Sequence, residues 1–268
     1  MAKIPFRVEP GSKVELARFD PGDTGRFKHK QDAEADSAAD LERLSELQEL
    51  LYADGRFAVL LILHGMDTSG KDGTIRHLSG GLNLMGADVT GFGSPTDVER
   101  RHDFLWRVHE HVPPRRMLGI FNRSHYEDVL VVRVHDLAPA AVWERRYDQI
   151  NDFERMLVEN STVIVKCFLH FSKEEQAERL RARLEDRAKL WKLSTADVED
   201  RENWTAYIRA YEAALSRCNT ASSPWHIIPS DHKWYRNYAV TRLLIETLDG
   251  LKLKPPKPDY DPKSIKID

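Results

Sequence analysis

Residues 57–75 read FAVLLILHGMDTSGKDGTI, an apolar run that leads into a glycine-bounded loop and then into a helical pattern. Gly65, Gly70 and Lys71 match the spacing G-x-x-x-x-G-K of loops whose backbone N–H groups surround phosphate. This spacing should occur by chance in about one chain in ten of this length. Its position between a strand and a helix is therefore the observation that supports a phosphate-binding loop, against a plain turn with an exposed lysine.

Two carboxylates in this loop need a chemical reason to lie among groups that attract anions. Asp67 cannot bind phosphate directly, because like charges repel. Phosphoryl transfer needs charge neutralisation and a positioned acceptor, so we predict that Asp67 holds Mg²⁺, with Mn²⁺ as an alternative, or orients the acceptor oxygen. Asp72 stands where a serine or threonine usually holds magnesium. Both a metal contact and a favourable charge at a helix start remain open for Asp72.

A second group of polar side chains follows the apolar run Met117–Phe121. These residues are Asn122, Arg123, Ser124, His125, Tyr126, Glu127 and Asp128. P-loop proteins place a metal-binding acid at this end of a strand, but here the position holds the neutral amide of Asn122. Arg123 is well placed as a bidentate phosphate clamp. We expect both loops at one edge of a sheet; the alternative is a solvated loop.

Length and composition set the class of protein. The chain has 268 residues, 41% of them hydrophobic, with a formal charge of -3. This composition predicts a globular protein with no overall attraction for nucleic acid or for a membrane. Two cysteines without ligand spacing and the absence of an apolar leader or spanning run predict a soluble, cytoplasmic protein.

Apolar runs that alternate with helical patterns predict an α/β fold with a parallel sheet covered on both faces. The predicted strands are Phe57–Leu63, Asp88–Gly91, Met117–Phe121, Thr162–Leu169 and Trp225–Ile228. Helices are predicted from Ala38 to Gly55, at Asp72–Leu84, Val98–His111, Pro139–Glu159 and Lys233–Leu248, and as a pair between Phe171 and Cys218. Ser172 and Glu175 have the spacing of a capping box.

Several segments of the chain are similar to sequence blocks of one known family. They include GMDTSGKDGTIRH, FGSPTDVE, FLWRVHEHVP, FNRSHYEDVLVVRVH and KLWKLSTADVEDRENW, and together they span nearly the full length. On these blocks the chain resembles the polyphosphate kinase 2 family of P-loop phosphotransferases, in which an acid after the loop lysine is expected. The resemblance implies a P-loop kinase-like three-layer sandwich with a five-stranded parallel sheet and a helical lid.

The resemblance also implies an activity, namely reversible, Mg²⁺-dependent phosphoryl transfer between inorganic polyphosphate and nucleotides. The FNRSHYED motif resembles the branch acting on AMP and, in some members, on ADP. By matching motif, Asp67 would contact the metal and the acceptor phosphate, Lys71 the transferred group, and Arg123 further phosphates. The second metal ligand stays open between Glu127 and Asp128, and Glu127 could instead face the nucleotide, as could Asn122. Adenine nucleotides are expected, with guanine as an alternative, and a homodimer or homotetramer.

The domain organisation expected from these patterns has three parts. Residues 1–55 form an N-terminal extension and a helix that packs on the core, residues 56–250 form the P-loop domain, and residues 251–268 form an extended tail. A lid is expected at about 180–204, which we call the lid segment. There the family block R-x-x-D-P-x-K-x-W-K is matched at Arg183, Asp186, Lys189, Trp191 and Lys192, with Arg187 in place of proline. The alternative for this basic stretch is a solvated helix face.

Binding of a linear polyanion should require many cations, as nucleic acid backbones do. The predicted phosphate-binding residues are Gly65, Thr68, Ser69, Gly70, Asp72, Gly73, Thr74, Arg76, Arg133, Arg183, Lys189, Lys192, Lys233 and Arg236. After the second strand, Pro95, Thr96 and Glu99 could contact the nucleotide or form a surface turn. An ATP-dependent nucleotide kinase is the alternative enzyme, and a GTPase-like switch or a silent polyphosphate-binding module are the alternatives from other classes.

Overall fold

Five strands form the centre of the molecule in the computed structural model, which describes residues 6–261 and 264–265, apart from the side chain of Lys192. The strands are β1 (Ala58–His64), β2 (Ala87–Gly91), β3 (Leu118–Asn122), β4 (Thr162–His170) and β5 (Trp225–Pro229). They pair in the order β2-β3-β1-β4-β5, and every pairing is parallel. The predicted five-stranded parallel sheet is confirmed, with each boundary within one residue of its prediction.

The central position of β1 decides where the two polar loops lie. Leu61 of β1 pairs with Ile120 of β3 on one side and with Val165 of β4 on the other. Every residue of β1 is buried, as an uninterrupted apolar run predicts for a central parallel strand. Leu63 pairs with Asn122, and parallel strands end at the same edge. The loops after β1 and β3 are therefore neighbours.

Helices cover both faces of the sheet and complete the three layers. They are α1 (Glu34–Asp54), α2 (Lys71–Leu78), α3 (Trp106–His109), α4 (Val131–Val134), α5 (Ala140–Glu159), α6 (Lys173–Glu185), α7 (Thr195–Glu202), α8 (Trp204–Arg217) and α9 (Lys233–Gly250). Leu61 and Leu63 pack with α1, α2 and α9, whereas Leu60 and Ile62 pack with α5. Phe168 packs with α8 on that second face.

Two helix predictions are too long. α2 ends at Leu78 rather than at Leu84, because a Ser-Gly-Gly turn follows it and glycine favours helix termination. The predicted helix Val98–His111 is instead a 3₁₀ turn at Glu99–Arg101 and the short helix α3. Between them His102 has extended backbone (φ −105°, ψ 172°), which ends the first turn.

The stretch between β4 and β5 contains three helices, α6, α7 and α8, rather than the predicted pair. The predicted capping box at its start is half correct. Ser172 Oγ accepts the N–H of Glu175 at 3.0 Å, but the Ser172 N–H donates to the Asp231 carboxylate at 2.7 Å. The Glu175 carboxylate binds Arg179 instead, at 2.7 Å.

The residues before α1 lie against the sheet and α8. Arg7 forms an antiparallel bridge with His226 of β5, and Leu16 is buried while its N–H donates to Glu212 at 2.8 Å. After α9, Leu253 returns to the core shared by α1 and α9. Across the described ranges, no helix combines the length and the apolar character that crossing a membrane requires.

Candidate active site

The loop between β1 and α2 folds so tightly that two of its positions require glycine. The φ angles of Gly65 and Gly70 are +151° and +104°. A Cβ at Gly70 would lie 1.8 Å from Nη1 of Arg236, and one at Gly65 would lie 2.7 Å from Oγ of Ser69. Close approach and positive φ together explain the two glycines of the motif.

Lys71 is buried at the first turn of α2 and is held by the loop itself. Its ammonium donates to the carbonyl oxygens of Gly65 at 2.7 Å and Met66 at 3.3 Å. Burial is the main reason why the pKa of Lys71 falls to about 8, and Arg123 lowers it further while Asp67 opposes the shift. The cation is therefore positioned before any anion arrives.

Asp67 and Arg123 join the two loops directly. Nη2 of Arg123 donates to Oδ1 of Asp67 at 2.6 Å, and Nη1 lies 3.6 Å from Glu127. Burial alone would raise the pKa of Asp67, but Lys71 and Arg123 outweigh it and the pKa is lowered. Burial likewise opposes the charge of Arg123, yet Glu127 and Asp67 raise its pKa. Asp67 is thus an ionised carboxylate between two cations.

The backbone of Arg123 is itself unusual. Its φ is +66°, in the left-handed region that a non-glycine residue adopts at some cost. Next to it, the amide of Asn122 donates to Oδ1 of Asp72 at 2.8 Å, which ties the end of β3 to the start of α2. Both links bring residues of the second polar group against the phosphate loop, as predicted.

A buried ion pair supports the loop after β3, and the sequence analysis did not find it. Lys166 of β4 donates to Glu154 at 2.6 Å and to the hydroxyl of Tyr126 at 2.9 Å. Tyr126 donates to Glu154 at 2.7 Å, and all three side chains are buried. Burial would raise the pKa of Glu154, but Lys166 lowers it to about 2. A lone lysine within the apolar strand TVIVKCFLH was the signal for a buried partner.

A cleft of about 690 Å³ opens over both loops. Its basic residues are Lys71, Arg76, Arg123, Arg179, Arg183, Lys189, Lys233 and Arg236, and its acidic residues are Asp67, Asp72 and Asp197. Thr68, Gly70, Gly73, Asn122 and Trp191 also line it. The cleft therefore concentrates positive charge on a chain whose formal charge is -3, which suits an anionic ligand.

Three predicted phosphate-binding residues do not line the cleft. Gly65, Ser69 and Thr74 are buried, and Thr74 Oγ1 lies 3.4 Å from the Asn237 side chain. Glu127 lines a small adjoining space of about 20 Å³ with Asp67 and Arg123. Burial raises the pKa of Glu127, and Arg123 and Lys71 limit the rise.

Two predicted site residues are engaged elsewhere. Asp128 was proposed as a metal ligand, but its carboxylate lies 3.0 Å from Arg146 and 3.9 Å from Arg107 and does not line the cleft. Arg133 was proposed to bind phosphate, but it lies over the ring of Trp143, 4.9 Å from the centroid. A 3₁₀ turn at His125–Asp128 rotates the chain before α4, so both side chains face α5 and its neighbours.

The predicted nucleotide contacts after β2 form a turn beside the cleft. The Thr96 N–H donates to the Glu99 carboxylate at 2.5 Å, and the Glu99 N–H donates to Thr96 Oγ1 at 3.2 Å. Pro95, Thr96 and Glu99 do not line the cleft, whereas Gly91, Phe92 and Gly93 do. The position of these three residues favours a surface turn over contact with the nucleotide, the two alternatives that the sequence left open.

The lid segment also lines the cleft, with Arg183, Lys189, Trp191 and Asp197 among its lining residues. Arg183 lies 3.8 Å from Asp197, Lys189 pairs with Asp186 at 2.5 Å, and Trp191 is 77% exposed. The side chain of Lys192, a predicted phosphate ligand, lies outside the described residues. From α9, Lys233 and Arg236 reach the cleft beside the phosphate loop.

The carboxylates in the cleft fit a magnesium ion that is completed by substrate. Mg²⁺ usually takes one or two carboxylates and fills its other positions with water and phosphate oxygens. Oδ1 of Asp67 accepts from Arg123, and Oδ1 of Asp72 accepts from Asn122. In the part of the chain that the structure describes, no group of three or more His, Cys, Asp or Glu side chains could hold a metal ion. A substrate-dependent Mg²⁺ is thus compatible with the site, and an all-protein metal cage is not.

A parallel sheet, a glycine-bounded anion loop with a buried lysine, and a cationic cleft at the carboxyl edge define a P-loop phosphotransferase. The model of the family polyphosphate kinase 2 matches residues 27–256. The chain belongs to the polyphosphate kinase 2 family, as its motifs predict.

Individual relatives match nearly the whole chain. An AMP/ADP-polyphosphate phosphotransferase of Meiothermus ruber is 49% identical over 98% of this chain and 99% of its own. An ADP-polyphosphate phosphotransferase of Rhodopseudomonas palustris is 42% identical over 94% of this chain and 91% of its own. The crystal structure of polyphosphate kinase 2 from Arthrobacter aurescens TC1 superposes with a TM-score of 0.93, at 47% identity, over 97% of this chain and 93% of that one.

Proposed function

We propose that the protein transfers phosphoryl groups reversibly between inorganic polyphosphate and AMP and/or ADP, with Mg²⁺. The observation that carries this proposal is the ionised Asp67 held between Lys71 and Arg123 at the floor of a cationic cleft. The names of the relatives from Meiothermus ruber and Rhodopseudomonas palustris support the choice of substrates.

In this mechanism the protein supplies position and charge, and no covalent enzyme intermediate is needed. Lys71 and the N–H groups at the start of α2 bind the transferred phosphoryl group and offset its charge. Arg123 binds the same phosphates from the second loop and leaves its pair with Asp67 in part when it does so. Asn122 and Glu127 lie on the side of Arg123 and are proposed to contact the nucleotide.

Asp67 would hold the metal, with Asp72 as the second candidate carboxylate in the cleft. When bound, Mg²⁺ would neutralise charge on the phosphate oxygens. Asp128 is not proposed as a ligand, because Arg146 and Arg107 already bind it. Mn²⁺ has similar ligand preferences and is proposed as a substitute.

The remaining cations of the cleft are proposed to guide the polyphosphate chain. Arg76, Lys233 and Arg236 lie on the side of α2 and α9, and Arg183 and Lys189 lie on the lid segment opposite them. A polyanion held by several separated cations should bind with a strong dependence on salt concentration.

The proposed function is tested by product analysis. Purified protein is incubated with AMP or ADP and polyphosphate, without ATP, in the presence and absence of Mg²⁺, and nucleotides are separated by chromatography. We expect ADP or ATP to form only with both polyphosphate and Mg²⁺, and Lys71→Ala to abolish it. Formation of ADP from AMP only when ATP is added would instead support an ATP-dependent nucleotide kinase. Polyphosphate binding without turnover would support a silent binding module.

We also propose a domain organisation, additional substrates, an oligomeric state and a location for this protein. The organisation is proposed to be an extension (1–55), a P-loop domain (56–250) with a lid segment, and a tail (251–268). Guanine nucleotides as additional substrates, a homodimer or homotetramer, and a cytoplasmic location are proposed as well. Competition with GMP tests the use of guanine nucleotides, and light scattering tests the oligomeric state.

A further inference from the structure

One arginine of the basic stretch behaves unlike the others. Arg179, Arg181 and Arg183 stand at alternate positions along α6. Arg181 is exposed and pairs with Glu178, and Arg183 is half-buried at the cleft. Arg179 is only 6% exposed, although it lies on the same helix. A charge buried to this degree needs several specific partners.

Arg179 has those partners in three different parts of the chain. Nε donates to Glu175 at 2.7 Å. Nη1 donates to the phosphate-loop carbonyl oxygens of Thr68 at 2.8 Å and Ser69 at 3.0 Å. Nη2 donates to the carbonyl oxygens of Ser230 and Asp231, the latter at 3.1 Å, in the turn between β5 and α9. These bonds engage all five N–H donors of the guanidinium group.

Full engagement means that Arg179 has no donor left for a phosphate oxygen. What it does instead is fix peptide planes of the phosphate loop. The peptide is planar and trans, so holding the Ser69 carbonyl directs the Gly70 N–H to the opposite side, away from Arg179. Arg236 donates to the same Ser69 oxygen at 3.2 Å, but its bonds leave donors for an anion.

We propose that Arg179 is a positioning residue, which locks the orientation of the phosphate-loop peptides and fixes the base of the lid segment to the same point. It lies six residues before Glu185, the end of α6, and thereby sets one end of the lid segment against the loop that receives the phosphoryl group. The expected effect of Arg179 on turnover rests on the proposed function, whereas its expected effect on the order of the phosphate loop rests on the fold alone.

The test replaces Arg179 by lysine, which keeps the charge but offers three donors from one atom and cannot reach all five acceptors. Arg181→Lys is the matched control on the same helix. We expect Arg179→Lys to lower kcat/KM for polyphosphate by about 10²-fold, since small displacements at a reacting centre have effects of this size. Arg181→Lys should stay within about twofold, because exposed ion pairs contribute little.

Hydrogen exchange of the protein without substrate separates positioning from general stability. In Arg179→Lys, amides of residues 65–73 should exchange at least about tenfold faster while those of β1 and β4 keep their wild-type rates. A uniform increase that includes β1 and β4 would overturn the proposal, as would wild-type kinetics with wild-type exchange. Failure of both Arg179→Lys and Arg179→Gln to fold would also overturn it, because Arg179 would then serve the whole fold.

These readouts keep the two proposals distinct. If the wild-type protein shows no polyphosphate-dependent turnover, the proposed function fails, and the exchange comparison still decides whether Arg179 orders the loop. If turnover is present and exchange in residues 65–73 is unchanged by Arg179→Lys, the positioning role fails alone.

Discussion

The phosphate loop and the lid segment face one cleft but are held in different ways. The loop is fixed by side chains that come from outside it, since Arg179 holds Thr68 and Arg236 holds Ser69. On the lid segment, Lys189 pairs with Asp186 and Ser194 with Asp197, which are close neighbours, while the longer-range pair of Arg183 with Asp197 is open at 3.8 Å. Long-range contacts resist local opening, and contacts between neighbours do not.

This difference indicates how the work of the site is divided. The loop side presents Asp67, Lys71 and Arg123 in an arrangement that exists before substrate binds, as electrostatic catalysis requires. The lid segment exposes the large apolar side chains of Leu190, Trp191 and Val198, and it makes a long-range bond near its end, where Asp200 lies 3.0 Å from His135. We therefore expect precision from the loop side and adaptation to a long polyanion from the lid segment.

The largest effect is expected when the charge on the rigid side is removed. Asp67→Asn keeps the size of the side chain but not its charge, and should lower kcat by about 10³-fold, as loss of one preorganised electrostatic group can do. Steady-state kinetics with AMP and polyphosphate measure it. Asp97→Asn, at a side chain that is 90% exposed, is the control. A rate near that of the wild type for Asp67→Asn would contradict the assignment of the preorganised charge to the phosphate-loop side of the cleft.

The rigidity of the loop can be broken at Gly70. Gly70→Ala places a Cβ against Arg236 at a positive φ, and should cost about 1–3 kcal/mol of unfolding free energy. The same change should lower kcat/KM by about 10²-fold, because the anion-binding N–H groups shift. Gly93→Ala lies at the same cleft with nothing within 4 Å of the new Cβ and is the matched control. Equal effects of the two substitutions would count against a preformed loop.

The ammonium group of Lys71 must stay protonated to bind phosphate, so kcat/KM should fall at alkaline pH. The pKa of Lys71 is about 8, so kcat/KM should fall above that pH, by about tenfold at pH 9. The free energy of unfolding should change in the opposite direction. The pKa of Lys71 in the folded protein lies below its ordinary value of 10.5, so between these two pH values the unfolded chain binds more protons than the folded protein does. Unfolding free energy should therefore rise from about pH 8 to 10.5.

Two measurements check this opposition. A pH profile of kcat/KM for polyphosphate should show the limb in the wild type and not in Lys71→Arg, and urea unfolding at the same pH values should show the rise. A profile that stays flat to pH 10 in the wild type would mean that Lys71 is not the buried cation that binds the phosphoryl group.

The smallest effect is expected on the lid segment. Lys189→Ala should raise KM for polyphosphate about threefold and reduce the slope of log KM against log salt by about one, with kcat and thermal stability unchanged. Arg181→Ala, an exposed cation outside the cleft, is the control. A large fall in kcat for Lys189→Ala would erase the distinction between a precise loop and an adaptable lid segment.

Much of the fold and of the rigid side could be predicted from the sequence. Continuous apolar runs mark buried parallel strands, and parallel strands bring their following loops to one edge, so Lys71 and Arg123 could be placed together. Helix ends were less predictable, as at Leu78 and His102, where short turns compete with helical spacing. Such turns are decided by a few local bonds that propensity does not encode.

The errors among the site residues have a shared physical cause. Asp128 is the last residue of a 3₁₀ turn and Arg133 lies in α4 just after it, and an unpredicted turn changes the direction in which its own and later side chains point. The burial of Arg179 could not be predicted either, because charge alone does not reveal burial. Four of its five partners are backbone carbonyl oxygens, which leave no mark in the sequence.

The left-handed backbone of Arg123 sets a limit on engineering this enzyme for heat resistance. Glycine at that position would relieve a conformational penalty of about 1–3 kcal/mol, yet it would delete the guanidinium that bridges the two loops. A glycine at position 123 would therefore raise the melting temperature only while lowering turnover. Thermostabilising substitutions should be sought on the outer helices instead.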